Sequence, residues 1–458
     1  MAAAVDQRNY ELTYLDVDRT AQRVMAPAGL KYWLWVGFCA FLVVVGGSFW
    51  TRQIYEGLGV TGYGQPTLWA IYITDFVFWV GIAHSGTLIS AVLFLFRTRW
   101  RTAVYRCAET MTVFAVATAG LFPIVHLGRP WFFYWLCPYP NERYLQPDFR
   151  SPLTWDFFAI STYLTTSVLF LSMGLIPDIA NQRDIAAGWR KKFYTVLACG
   201  WQGTDLQWRS FSMAYLLLAG FATPLVLSVH SVVSWDFATM QTPGMHSTIF
   251  APYFVAGAIF SGCALVLTLI IPMRKMLHIE DLVTIWHLDS LSKVVLLTSL
   301  VISYSYCTEF FMVWYAQDPI EMMTFHQRLF GLQGYLFGGM VLCNCLIPLL
   351  LFSPSIRTNT IWLFIISIFV NIGMWLERFV LIAGSLSTAT IPSQWKFYIP
   401  KVTEVMITIA SFGWFLMNFS LFSKFLPIVS MTELKEGVGW LRKSGRNTYP
   451  YSPNRKAS

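Results

Sequence analysis

The 458-residue sequence predicts an all-α integral membrane protein with ten transmembrane helices. Three observations carry this reading. Only 12% of the residues are charged while 56% are apolar, about half the charged share of a soluble globular chain. Ten segments are apolar over roughly the 20 residues that a helix needs to cross roughly 30 Å of hydrocarbon. These runs are far too long for barrel strands, the one other architecture that satisfies its backbone without water. Disordered, coiled-coil and multidomain soluble classes are thereby excluded. The net charge of +8 does not mark a nucleic-acid binder, because the basic residues are interspersed among apolar runs instead of gathering on an aromatic-lined surface.

Residues 1–32 form a polar tail of mixed charge without the apolar stretch and small-residue cleavage site of a signal peptide. The first span, 33–50, follows with its loop to residue 66. Spans 67–96, 102–126, 153–177 and 211–234 make a first four-helix bundle within 67–234. Spans 249–272, 293–316, 329–352 and 360–384 make a second within 235–384, and the tenth span, 402–423, lies in 385–423 before a polar tail, 424–458. Spans 1 and 10 flank the two bundles. The division rests on an internal echo. Ser85-Gly86 runs on to Arg97 as Ser261-Gly262 runs on to Arg274, and Gly174-Leu-Ile-Pro177 matches Cys345-Leu-Ile-Pro348. Chance likeness between apolar helices is the alternative.

Ten crossings place both termini on one side. Of the 32 Lys and Arg residues, 24 fall on that side and seven on the other, so the positive-inside rule makes both termini cytoplasmic. The eight cysteines contain no CxxC and no metal spacing, and read as small core residues.

An ionisable group at bilayer depth costs about 2.5–3.5 kcal/mol on insertion scales, so each such group is a functional candidate. His126 ends the third span, Asp156 opens the fourth, and His230 and Asp236 lie toward the end of the fifth; Arg378 sits in the latter half of the ninth. An imidazole, two carboxylates and a guanidinium on the non-cytoplasmic side suit oxidation of a lipid-soluble quinol, which must lose two protons with its two electrons. His126 can serve as a base near neutral pH, a buried Asp156 or Asp236 can be tuned to the task, and Arg378 can hold an oxygen or a carboxylate. The bland alternative is helix capping by His126, Arg129 and Asp156. A second set, Asp75, His84, Glu109, Glu309, Glu377 and Glu404, is a candidate proton path; interhelical hydrogen bonding explains each equally well singly.

A bis-histidine haem needs two inward histidines at matching depth. His84 alone reads as mid-membrane, with His126, His230, His246, His278, His287 and His326 at span ends or in loops, so neither haem nor an iron–sulfur cluster is expected on this chain. Electrons then leave to a partner. The loop 127–152, rich in aromatics and proline, offers a docking surface on the non-cytoplasmic side.

The stretch from His84-Ser-Gly-Thr to Phe96-Arg97, the segment Ala119-Gly-Leu-Phe-Pro-Ile-Val-His126-Leu-Gly-Arg-Pro-Trp131, and the pair Thr154-Trp-Asp156 and Ser234-Trp-Asp236 resemble the NrfD/PsrC-like family of quinone-interacting membrane subunits. Within it they most resemble the ActC-type subunits of alternative complex III, and the likeness covers essentially all ten spans. It implies a quinol site near the periplasmic face at His126, Asp156, Asp236 and Arg378. It also implies a periplasmic iron–sulfur subunit as electron acceptor, haem c subunits beyond it, a paralogous NrfD-like membrane subunit, surrounding lipids, and a place in the bacterial inner membrane. Menaquinol is preferred over ubiquinol as substrate. Two readings stay open beside this one: a membrane anchor or proton-conducting paralogue without its own quinol chemistry, and a secondary transporter. The echo joins spans in parallel, which speaks against the inverted repeats of many transporters.

Overall fold

A computed structural model describes residues 13–137, 149–331, 333–389 and 392–443. Among these residues the fold is entirely helical. Ten helices are long and apolar enough to cross a membrane: α2 (Leu30–Glu56), α3 (Ile71–Leu95), α4 (Tyr105–His126), α5 (Pro152–Ile185), α7 (Asp205–Ala238), α8 (Phe250–Met276), α9 (Ile285–Ala316), α11 (Gly334–Phe352), α12 (Thr360–Ser387) and α13 (Val402–Phe425). Four shorter helices join them: α1 (Tyr14–Met25), α6 (Gly188–Leu197), α10 (Pro319–Phe330) and α14 (Met431–Lys443).

The structure differs from hydropathy at the helix ends. α5 and α7 each run 34 residues, about 51 Å of helix, because polar turns continue them beyond the hydrocarbon where composition no longer marks a span. The expected start of the eighth span at 329 instead belongs to α10, and a break separates it from Gly334. α1 is a helix within the polar tail, capped reciprocally by Thr13 Oγ1 accepting from Asp16 N (3.3 Å) and the Asp16 carboxylate accepting from Thr13 N (2.9 Å).

Hydrogen bonds between distant segments sort the helix ends onto two faces. On the face shared by the two terminal helices, Lys435 pairs with Asp18 (2.8 Å), and Lys424 Nζ donates to Val24 O (3.0 Å). On the far face, Gln53 Nε2 donates to Val125 O (3.0 Å) and Gly62 N to Glu404 (2.7 Å).

α3 is the hub. Of its most apolar window 83% is buried against protein, compared with 17% for α2, whose Leu34, Phe38 and Phe41 remain exposed to lipid. α3 packs on α4, α8, α7 and α12, α5 packs on α7, and α2 packs on α13. Two Ser-Gly pairs make the hub possible. A Cβ on Gly86 would lie 1.9 Å from Thr112 Oγ1 and 2.3 Å from Ala108 O in α4; one on Gly262 would lie 2.0 Å from Ser85 Oγ and 2.4 Å from Ile82 O in α3. Small residues at such positions let helix backbones approach closely in lipid.

At the terminal face, α14 is stapled by buried charge. Asp178 accepts from Arg106 (3.1 Å), Thr432 N (3.1 Å) and Thr432 Oγ1 (2.9 Å), Arg101 pairs with Glu433 (2.7 Å), and Tyr105 OH donates to Ser430 Oγ (2.6 Å). Arg106 is further held by Glu109 (3.3 Å) and Gly174 O (2.6 Å).

Two outcomes follow for thermal unfolding in detergent. Gly86→Val and Gly262→Val are each expected to cost about 1–3 kcal/mol through overpacking, while Gly37→Ala, whose added Cβ meets nothing within 4 Å, leaves the midpoint unchanged. Asp178→Ala removes one of the two acids beside the buried Arg106 and leaves Thr432 N and Oγ1 without their acceptor, and is expected to cost about 1–3 kcal/mol; stability equal to wild type would refute the staple.

Candidate functional site

The segments Thr154-Trp-Asp156-Phe and Ser234-Trp-Asp236-Phe occupy the first turns of α5 and the last turns of α7. Because these two helices pack antiparallel, the repeated tripeptides meet at the far face. Trp155 and Trp235 touch edge to face with centroids 5.9 Å apart. Behind them the Asp156 and Asp236 carboxyls face each other within hydrogen-bonding reach, at 6% and 7% residue exposure. Among the described residues Oδ1 of each receives no donor. A carboxylate has only acceptors, so a bond between two carboxyls requires a proton on one of them.

His126 closes α4 on the same face, half-buried, with Nδ1 lacking a partner among the described residues. Its ring meets Tyr63 edge to face at 5.5 Å. Tyr63 in turn contacts Tyr72 (5.5 Å) and stacks on Tyr398 (6.2 Å), and its hydroxyl accepts from Tyr72 N (3.3 Å). Tyr72 OH donates to Gln53 Oε1 (2.6 Å), and Gln53 holds the α4 carbonyl just before His126. Burial pushes the Tyr63 phenol well above its ordinary range, so it stays a neutral hydroxyl at physiological pH. Sequence reasoning missed Tyr63, Tyr398 and Gln53: the first lies in a Gly/Pro-rich connector, the second in the loop before the tenth span, and neither carries a periodicity.

Arg378 is fully buried elsewhere. Its guanidinium carbon lies 4.0 Å above the Phe254 ring, Nη1 is 3.1 Å from Glu377, and a Cβ on Gly257 would sit 2.8 Å from Nη2. The guanidinium thus lies against α8 and is paired by charge with its chain neighbour, while Nη1 has no hydrogen-bond partner and no hydrogen bond joins Arg378 to either aspartate among the described residues. Just beyond Arg378, α12 loosens into a π turn, Val380–Gly384, as α3 does at Leu88–Val92 after His84.

His230 lies deeper than its sequence position implied. α7 continues eight residues past it, about 12 Å, and its ring contacts His84 at 4.6 Å and Phe254 at 5.8 Å. His84 is thus not the lone mid-membrane histidine. It stacks on Tyr163 (4.7 Å), and its Nδ1 donates to Val80 O (2.5 Å). The two imidazoles touch, which leaves no gap between them for a macrocycle.

The acids of the second set are held by specific donors. Asp75 accepts from Trp375 (2.8 Å) and Thr408 (2.5 Å), and Glu404 accepts from Gly62 N, Lys401 N (2.8 Å) and Tyr398 OH. Glu109 meets Arg106 and Tyr215 OH (3.3 Å), Glu309 meets Arg328 (3.0 Å), and Glu377 accepts from Tyr306 OH and Asn344 (3.3 Å).

Of the aromatic loop, Trp131, Phe133, Tyr134 and Trp135 lie exposed on a short 3₁₀ helix, Pro130–Leu136. Residues 138–148 of that loop lie outside the described residues. The four residues singled out as one site thus fall into three environments: the aspartate pair, His126 with Tyr63, and Arg378 with Glu377 and Phe254. A double-mutant cycle between Asp156→Asn and Asp236→Asn in thermal unfolding is expected to show a coupling of about 0.5–3 kcal/mol, and the cycle between Asp156→Asn and Arg378→Gln about none; equal couplings would contradict this partition.

A family model described as polysulphide reductase, NrfD, matches residues 59–390. A Halobacterium salinarum protein named as a membrane component of a dimethyl sulfoxide reductase is 30% identical over 255 residues, 55% of this chain and 54% of that relative. The chain thus spans about half that relative's length. The integral membrane subunit of a menaquinone reductase from Nitratidesulfovibrio vulgaris is 22% identical over 426 residues, 87% of this chain and 92% of that relative. With the family match spanning all but the first and last of its ten apolar helices, the chain belongs to the NrfD polysulphide reductase family of multi-pass membrane proteins.

Proposed function

We propose that this chain is the quinol-oxidising membrane subunit of an electron-transfer complex of the alternative complex III type, with both termini cytoplasmic in a bacterial inner membrane and the far face periplasmic. The observation that carries the reading is the buried Asp156–Asp236 pair, whose Oδ1 atoms have no donor among the described residues, on the same face as His126, whose Nδ1 likewise has no partner among them. Oxidising a hydroquinone breaks two O–H bonds and releases two protons and two electrons. The aspartate pair, sharing one proton, has room for one more, and neutral His126 takes the other. Tyr63 and Gln53 fix the imidazole's surroundings. In this reading Arg378, paired with Glu377 (3.1 Å), is not a direct ligand of the quinol.

Menaquinol is the preferred substrate, in line with the reductase relative named for menaquinone. The same groups would protonate quinone if the partner's potential ran the reaction in reverse. With no redox group proposed on this chain, the electrons pass to a periplasmic iron–sulfur subunit and on to haem c subunits, and the exposed aromatics of Pro130–Leu136 supply a docking face. The assembly also holds a paralogous NrfD-like membrane protein.

The purified complex carrying His126→Ala or Asp156→Asn is expected to lose about 10²–10⁴-fold in quinol:acceptor turnover, with haem content and the set of assembled polypeptides unchanged. Full turnover in an intact complex would leave the chain as an anchor.

A second reading adds proton conduction, favoured by several separate buried polar groups, among them the Arg106–Glu109 pair, the touching His84 and His230 rings and the Arg378–Glu377 pair. In reconstituted vesicles, Glu109→Gln is expected to lower the proton-to-electron ratio while quinol turnover persists; an unaltered ratio counts against the path.

A further inference from the structure

α2 and α13, the first and last of the spanning helices, form a zipped pair. A Cβ on Gly46 would lie 2.1 Å from Ala410 Cβ and 2.9 Å from Met406 O, and one on Gly413 would lie 2.9 Å from Leu42 Cβ and 3.0 Å from Cys39 O. A glycine on each helix thus lets the two backbones approach closely in lipid. α2 otherwise turns mostly to lipid, but its far end does not. There Gln53, fully buried, donates through Nε2 to Val125 O (3.0 Å) and accepts from Tyr72 OH (2.6 Å).

The connector that leaves α2, residues 57–64, is fastened between the start of α13 and the end of α4. On the α13 side, Glu404 accepts from Gly62 N (2.7 Å), and Lys401 Nζ donates to Gly59 O (3.1 Å). A Cβ on Gly62 would lie 2.6 Å from Ile399 O and 3.2 Å from Glu404 Oε2, so the connector backbone rests directly on this segment. On the α4 side, Leu58 lies against Gly128, where a Cβ would be 2.8 Å from Leu58 Cγ. The Tyr63 ring meets His126 at 5.5 Å and is backed by Tyr398 at 6.2 Å. Glu404 also caps α13, since Lys401 N donates to it (2.8 Å). A cap needs only that bond. Here the same oxygen also takes Gly62 N, and the other takes Tyr398 OH, so loss of the carboxylate would release the connector as well as the helix end.

We propose that Glu404 is a positioning residue for His126: it anchors the 57–64 connector to α13, and through Gly62 and Tyr63 the connector sets where the imidazole stands. The zipped α2–α13 pair is then a brace that holds His126 from two sides, Gln53 at the carbonyl just before it and Tyr63 at its ring. Glu404 serves the site in this way rather than as a step in a proton route. Its importance for turnover rests on the reading of His126 as a base for quinol; its placing of His126 does not.

The test reads His126 itself, by carbethoxylation of the purified complex with diethylpyrocarbonate and peptide mass spectrometry. Labelling of His126 is expected to run several-fold faster in Glu404→Ala than in wild type. Glu404→Gln, whose amide oxygen keeps the bonds from Gly62 N and Lys401 N, is expected to label at close to the wild-type rate. Gly62→Ala, which displaces the connector with Glu404 intact, is expected to behave as Glu404→Ala does and decides the matter if that variant fails to assemble. Asp178→Ala, which loosens the opposite face, is expected to leave His126 labelling unchanged. In quinol turnover, Glu404→Ala is expected to lower kcat by about 10–100-fold with KM little altered, as misplacement of a catalytic group does. Wild-type labelling of His126 in both Glu404→Ala and Gly62→Ala would overturn the proposal, and so would equally fast labelling in Asp178→Ala, the mark of general loosening. Full turnover in His126→Ala would defeat the quinol reading alone, with the labelling rates still deciding whether Glu404 places His126.

Discussion

In hydrocarbon a polar group without a partner costs several kcal/mol, and this one constraint orders the whole molecule. It makes every crossing a helix, because only a helix bonds its backbone within itself. It also decides where charge can be kept. Arg106, almost wholly buried, is surrounded by Glu109, Asp178, Tyr105 OH and the Gly174 carbonyl, and Arg328 by Glu309, Ser385 and the Gly244 carbonyl. The Oδ1 atoms of Asp156 and Asp236 and the Nδ1 of His126 are among the buried polar atoms that have no hydrogen-bond partner among the described residues, as are both ring nitrogens of His230 and Nη1 of Arg378.

Close approach of helices supplies the rest of the architecture. Lipid tails are as apolar as leucine, so helices associate through packing and hydrogen bonds instead of through hydrophobic exclusion from water. α3 achieves this with Gly86 against α4 and Gly262 of α8 against itself. A hub packed so tightly cannot shift one neighbour alone. That rigidity keeps His84 against His230 and Tyr163, with Arg378 close behind on the α8 side.

Much of the fold was legible in the sequence because hydropathy reports the solvent directly. All ten spans follow from apolar runs, and the polar stretches between them place both ends of the chain on one side. The helix ends were less legible. The polar extensions of α5 and α7 and the surface helices α1, α6 and α10 lie outside the hydrocarbon, where composition stops distinguishing helix from loop. The candidate site was half legible. Asp156 at the start of one span and Asp236 at the end of the next read as lying near one face, and the packing of those two antiparallel helices brings them face to face.

Residue type and depth, then, were determined by the sequence alone: which groups are ionisable, how far each lies along an apolar run, and hence which family of membrane subunits the chain resembles. Direction in the plane of the membrane was decided only by the tertiary structure. A residue's angle about its helix axis depends on which neighbours that helix packs against, and nothing local encodes it. For that reason Arg378, at a depth that suited the aspartates, turns instead to Glu377 and Phe254. For the same reason His230 meets His84, and a tyrosine from a connecting loop, Tyr63, becomes the neighbour of His126.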